Sequence, residues 1–211
     1  AIAYLGKFKK AKYDGKDASL FKKRMKLLLL TCAAAPDLLK NKQSFDIFHM
    51  DTSINKAHVE SSPLLLDSNT LIYSSLRSDT IVYYDANDTS KAYPVRKFYS
   101  AKRNKKQEWV FENELDIALN DVKSHNANAC FNLDSTSLFF SRCATNNVGR
   151  MICAIYESKK EDGEWLAPIK LPETINNTEF SSSQPAVGKG EKYGAEVLYF
   201  VTENPKGRGG K

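Results

Sequence analysis

The first forty or so residues place apolar side chains at helical spacing. Ile2, Leu5, Phe8 and Tyr13 nearly repeat with the helical period. Asp14-Gly15-Lys16 reads as a turn, and Asp17 as the N-cap of a second helix. That helix aligns Leu20, Phe21, Met25, Leu28 and Leu29 in one stripe and runs on through Cys32 and the alanines. Pro36 lacks an amide donor and crowds the preceding turn, so a kink or restart is expected there. From Ser44 the texture changes to short runs of aromatic and β-branched residues separated by Asn, Asp, Ser and Gly. The predicted strands are Phe45–Met50, Pro63–Leu66, Leu71–Ser75, Thr80–Tyr84, Val95–Ser100, Glu108–Glu112, Ala129–Leu133, Leu138–Arg142, Met151–Glu157, Gln184–Val187 and Val197–Thr202. Leu115–Asp121 fits either a strand or one helical turn. So many strands with little helix between them point to a sandwich, barrel or propeller.

An internal repeat separates these folds. Ser62-Pro-Leu-Leu-Leu-Asp-Ser-Asn-Thr-Leu-Ile-Tyr-Ser-Ser aligns with Ala129-Cys-Phe-Asn-Leu-Asp-Ser-Thr-Ser-Leu-Phe-Phe-Ser-Arg. A third copy runs from Gln184-Pro-Ala-Val, across an insertion at Gly188–Ala195, to Val197-Leu-Tyr-Phe-Val-Thr. The central leucines Leu71, Leu138 and Leu198 are 67 and 60 residues apart. A third strand is expected after each of the first two copies, at Arg77–Tyr84 and Gly149–Tyr156. Trp109 and Trp165 then mark a fourth. Four strands ending in a tryptophan suit a propeller blade, whose two apolar faces are covered when blades stack radially. The expected architecture is mainly β: an incomplete β-propeller over 43–211, after a helical hairpin over 1–42. The blades fall at about 60–126, 127–181 and 182–211, the last incomplete. Propellers typically close with 4–8 blades, so the chain reads as a piece of a longer protein with uncovered end faces prone to association.

The pattern Pro-x-x-x-Asp-x-x-x-Leu-(Ile/Phe)-(Tyr/Phe)-Ser-Ser resembles the WD40-like repeat of TolB-type propellers. Trp165 to Thr178 followed by Ser183-Gln-Pro-Ala is similar to the blade junction of the Bacteroidetes branch of that family. Gly207-Arg-Gly-Gly-Lys resembles its glycine-rich turn, and Ala1–Lys42 looks like the end of a tetratricopeptide array. Departures are Arg77-Ser-Asp-Thr in place of a glycine-rich turn, and Cys130 where proline would sit. Helical repeats followed by TolB-like blades are similar to OmpA-family envelope proteins of Bacteroidetes, some belonging to the type IX secretion and gliding apparatus. The resemblance implies a non-catalytic periplasmic scaffold, associated with the outer membrane and binding other envelope proteins. Peptidoglycan would be reached only through an OmpA-like domain that this sequence lacks. Two rival readings are a propeller gating a serine peptidase domain, and a soluble carbohydrate- or peptide-binding propeller.

Charge alters this picture little. Residues 1–42 carry 11 basic and 3 acidic side chains, a net +8, and the remainder carries 20 and 22, a net −2. The basic excess is thus local and reads as the solvated face of a helix pair, not a nucleic-acid site. No apolar run approaches the roughly 20 residues that span a bilayer, so direct membrane insertion is not expected, and no signal peptide is visible. The cysteines Cys32, Cys130, Cys143 and Cys153 lack zinc spacing. Cys143 and Cys153 bracket a turn-like stretch and would face each other on paired strands. A disulfide there requires an oxidising compartment, and buried free thiols are the expectation. His49, His58 and His125 sit in unrelated contexts, which argues against a metal site. Ser61-Ser62 and Ser181–Ser183 lack the Gly-x-Ser-x-Gly elbow and read as loops joining blades. Gly188-Lys-Gly and Gly207–Lys211 lack phosphate-loop spacing and read as tight turns. Asp85, Asn87 and Asp88 lack the remaining EF-hand ligands and read as a turn. Lys102–Lys106 reads as an exposed hairpin tip. No catalytic, cofactor or metal residue is assigned.

Overall fold

A computed structural model describes residues 2–11, 14–41, 44–80, 93–116, 118–190, 194–205 and 207. The chain divides into two compact units, Ala1–His49 and Met50–Lys211. It is mainly β, with 38% of its residues in strands.

The first unit is a helical pair, α1 (Ile2–Lys10) and α2 (Ala18–Lys40). Phe8 and Phe21 meet edge to face across it, and Met25 is its buried side chain. Asp17 stands at the N-cap position, but its side chain makes no capping hydrogen bond. Pro36 lies inside α2 and does not end it. Leu27, Leu28, Leu30, Leu38 and Leu39 are exposed. The expected strand Phe45–Met50 does not form. Phe45, Ile47 and Phe48 are exposed, and among the described residues no strand pairs with them.

The second unit contains three antiparallel sheets. The first is a four-stranded meander, β1 (Glu60–Leu65), β2 (Thr70–Ser75), β3 (Lys97–Arg103) and β4 (Trp109–Glu114). The second orders β5 (His125–Phe131), β6 (Ser137–Thr145), β7 (Met151–Glu161) and β8 (Glu164–Trp165), with β9 (Ile169–Lys170) also paired to β7. The last two are one fourth strand interrupted at Leu166–Pro168, where proline withholds an amide. The third sheet pairs β10 (Ser182–Lys189) with β11 (Glu196–Thr202).

The three leucines take equivalent places. Leu71 lies opposite Leu65, Leu138 opposite Phe131, and Leu198 opposite Val187. Each first hairpin also carries a register shift, between Ser61 and Leu64, Ala127 and Cys130, and Ser183 and Ala186. Each bulge contains a residue at positive φ: Ser62 (55°), Asn128 (55°) and Gln184 (52°). The residue after each is Pro63, Ala129 and Pro185. The proline-equivalent position of the second sheet is therefore Ala129 and not Cys130, because the turn joining β5 to β6 is one residue longer than that joining β1 to β2. Trp109 lies opposite Arg103, and Trp165 opposite Lys160. Both cations sit over the facing indole, at 4.6 and 5.6 Å from the ring centroid.

Several expectations need revision. The third strand of the first sheet is β3, not Arg77–Tyr84. All six residues of β2 pair with β3, which brings Tyr73 against Tyr99. Residues 81–84 lie outside the described residues, as do Asp85, Asn87, Asp88 and all of Gly207–Lys211 except Gly207. The insertion at Gly188–Ala195 includes the end of β10 and leads into β11, with the Gly190 amide donating to the Ala195 carbonyl. Within Leu115–Asp121 the described residues form a turn, with the Leu119 and Asn120 amides donating to the Asp116 carbonyl. Lys102–Lys106 ends β3 and enters the β3–β4 hairpin, where Asn104 Oδ1 accepts the Lys106 and Glu108 amides.

Two cores hold the sheets. Ile72 and Phe98 of the first sheet pack with Leu119 and with Leu138 and Phe140 of the second. Phe98 meets Phe140 edge to face, with centroids 5.5 Å apart. The other face of the first sheet, Leu71, Tyr73, Tyr99 and Ala101, is covered by Ile54 and Met50. Arg77 completes this cover. It lies 3.8 Å over the Phe111 ring and donates to the Ser53 carbonyl and the Tyr73 hydroxyl.

Candidate functional site

The groups that carry the most structural information lie at the seams between sheets. The turn before each new sheet ends in a buried asparagine. Asn120 Oδ1 accepts the Phe98 amide at 2.7 Å, and its Nδ2 donates to the carbonyls of Phe98 and Leu115. Asn176 does the same to Ile155 and Leu171: Oδ1 accepts the Ile155 amide at 2.7 Å, and Nδ2 donates to both carbonyls. Each asparagine is 1% exposed, so these bonds are made away from water, where an unmade bond is costly.

Beyond each asparagine, the following sheet is tied back to its predecessor. The Arg96 amide donates to His125 Nδ1, and at the equivalent place the Cys153 amide donates to Ser181 Oγ. Ser74 Oγ donates to the Asn126 carbonyl of β5, and Ser141 Oγ accepts the Gln184 amide of β10. Ser74 and Ser141 are both three residues past their central leucine. One seam design therefore joins the first sheet to the second and the second to the third. Arg142 adds weight to the earlier seam. Its Nε donates to Asn126 Oδ1 and its Nη2 to the Leu119 carbonyl, while the guanidinium lies over Phe140 and Tyr156.

The three left-handed residues occupy equivalent positions on the first strands. Asn128 Nδ2 donates to Ser62 Oγ across the seam at 3.0 Å, and Gln184 is exposed. The side chains in this row are neutral hydroxyl and amide groups. No general base or stabilising cation bonds to Ser62, so nothing in the described contacts activates it.

Cys143 and Cys153 face each other in the β6–β7 register and form a disulfide. This overturns the expectation of free thiols there. Their Cα atoms are 4.0 Å apart, and the Asn146–Arg150 turn holds them opposite one another. Cys32 and Cys130 are free, and burial pushes the Cys130 thiol up to about 11. Such a thiol is a poor nucleophile at neutral pH.

Comparison with known proteins finds no matching family model, no matching curated protein and no matching solved structure.

The remaining sequence candidates stay dispersed. His58 precedes β1, and His125 opens β5, where burial first and Arg96 second lower its pKa. His49 is exposed in the first unit. Among the described residues no group of three or more His, Cys, Asp and Glu could hold a metal. Ser61-Ser62 and Ser182-Ser183 are strand residues, not loops, because the seams run along first strands. Sequence reasoning missed Asn120 and Asn176. Their signal was present: Leu-x-x-x-(Leu/Ile)-Asn-(Asp/Asn) occurs at Leu115–Asp121 and again at Leu171–Asn177.

Proposed function

We propose that this chain is part of a β-propeller acting as a non-catalytic scaffold in the periplasm of a Gram-negative envelope, where it docks other envelope proteins. The observation that carries the reading is the seam made twice at equivalent positions: an identically bonded buried asparagine, a backbone amide tied to the side chain five residues beyond it, and a seam serine. A repeated seam is what radial stacking of like blades requires. The polar row at Ser62, Asn128 and Gln184 suits reversible docking better than covalent chemistry. The disulfide supports an oxidising compartment, since such bonds are rare where thiols are kept reduced.

The test is to fractionate the native cells under thiol-blocking conditions and map Cys143 and Cys153 by mass spectrometry. The expected result is an intact disulfide in an envelope fraction, co-isolated in stable amounts with a defined envelope protein. A cytosolic chain with both thiols blocked overturns the proposed location. Turnover of a peptide or glycan by the purified chain overturns the non-catalytic role.

A further inference from the structure

We propose that the Cys143–Cys153 disulfide is a redox latch on the seam between the second and third sheets, and that its reversible reduction by a dithiol loosens that seam. The bridge ties β6 to β7 near the turn that joins them. Its Cα atoms lie 4.0 Å apart, the close spacing of an antiparallel pair that exchanges no hydrogen bonds of its own. The Cys153 amide therefore points away from β6, and it donates to Ser181 Oγ at 3.3 Å. One residue thus carries a covalent link on one side and the seam on the other.

Ser181 is where the third sheet is fastened. Its carbonyl accepts the Glu203 amide, and its own amide donates to Glu203 Oε2. The same carboxylate forms a 2.6 Å ion pair with Arg150, whose guanidinium also donates to the Glu179 carbonyl. Arg150 belongs to the turn just beyond the bridge, past the Thr145–Met151 pair. Both partners of the ion pair are nearly half exposed. Such a pair gains little once the cost of ordering two long side chains is counted, so it holds best where the backbone beneath it is already fixed. The disulfide does that fixing. In the first sheet Leu76 and Arg96 stand at the corresponding places, where no such bond can form. The latch therefore belongs to one of two seams built alike.

Both cysteines are partly exposed, and Ala144 and Thr145 beside them are exposed, so an attacking thiolate has access. The first thiolate of the dithiol attacks one sulfur. The protein S–S bond breaks, leaving a mixed disulfide and one cysteine thiolate. The second thiolate of the reductant then attacks its own sulfur in that mixed disulfide, closing the reductant's internal disulfide and releasing the other cysteine. Each cysteine thiolate takes up a proton, so two electrons and two protons pass from dithiol to protein. An oxidised dithiol reverses each step.

The test is hydrogen exchange on the full chain when oxidised, reduced with dithiothreitol, and reoxidised. The readout is the exchange rate of the Cys153 amide relative to the Arg96 amide, which are the equivalent ties of the two seams. Reduction is expected to raise this ratio at least about tenfold, with the Glu203 amide accelerating alongside, and reoxidation to restore it. A loss of global stability alone would speed both seams equally. In Cys143→Ala with Cys153→Ala the ratio is expected to stay high whatever the redox state. Equal acceleration at both seams, a bridge that dithiothreitol reduces only in denaturant, a ratio that reoxidation does not restore, or a double variant that still responds to the dithiol would each overturn the proposal. None of these outcomes depends on cellular location or on the non-catalytic reading.

Discussion

Replacing Asn176 by alanine tests the repeated seam at its most sheltered point. The substitution leaves the Ile155 amide without its acceptor inside the protein. An unsatisfied buried donor costs about 1–3 kcal/mol. The Ile155 carbonyl keeps the Leu171 amide as a partner, so its loss is smaller. Each of the two forfeited Nδ2 bonds adds about 0.5–1.5 kcal/mol. The expected destabilisation is therefore about 2–6 kcal/mol, a large share of a domain's usual stability of about 5–15 kcal/mol. Asn120→Ala makes the same losses at Phe98 and Leu115, and its cost should agree within about 1 kcal/mol. Asn176→Asp refines the test. It keeps an acceptor for Ile155 but turns a carboxylate oxygen toward two carbonyls, so it should be worse than alanine at neutral pH and improve on acidification. Urea denaturation with an unchanged slope reads all three variants. A cost below about 0.5 kcal/mol for Asn176→Ala, or a large disparity between the two asparagines, would refute the idea that both perform one structural task.

Three further outcomes are expected. Removing the disulfide by Cys143→Ser with Cys153→Ser should cost about 2–3 kcal/mol by the loop-entropy estimate, and reductant should have the same effect on the unmodified chain in a melting experiment. His125 has a lowered folded pKa, so its contribution to stability is complete above its unfolded pKa and is lost as pH falls toward the folded value; His125→Ser, which copies Ser181, should flatten the stability profile between about pH 7 and pH 5. Asn128→Val should cost about 1–3 kcal/mol in a denaturant titration, since a β-branched residue resists positive φ and the bond to Ser62 is lost, whereas Asn128→Gly should cost much less.

The strands were legible where alternation ran long enough to register. Leu71–Ser75 and Leu138–Arg142 were visible because β-branched and aromatic residues crowd between turn residues. β8 was marked only by Trp165, and β9 escaped because two residues carry no period. Asn176 was hidden by its own neighbourhood: Pro172-Glu-Thr-Ile-Asn-Asn reads as turn chemistry, and a turn asparagine usually serves itself. Here it reaches across to strand β7. The disulfide turned on register as much as on compartment. Cys143 meets Cys153 only because the Asn146–Arg150 turn closes with Gly149 at a φ of 77°, and a slip by one residue would send the two thiols to opposite faces.

The two ends of the repeat show why local pattern does not settle what a face meets. β2 and β11 are both apolar on both sides, and nothing in Thr70–Ser75 or Glu196–Thr202 says which side is covered. The outcome was decided by residues outside the strands. Ile54, twenty residues ahead of Ser74, folds over Leu71 and Tyr73, and Arg77 closes the edge through Phe111 and Tyr73. In that segment Ile54 and Met50 supply the apolar contact. On the trailing side of the third sheet Tyr199 and Val201 are more than half exposed. Cover of the leading face is thus set by residues that precede the repeat, and not by the pattern of the strand it covers.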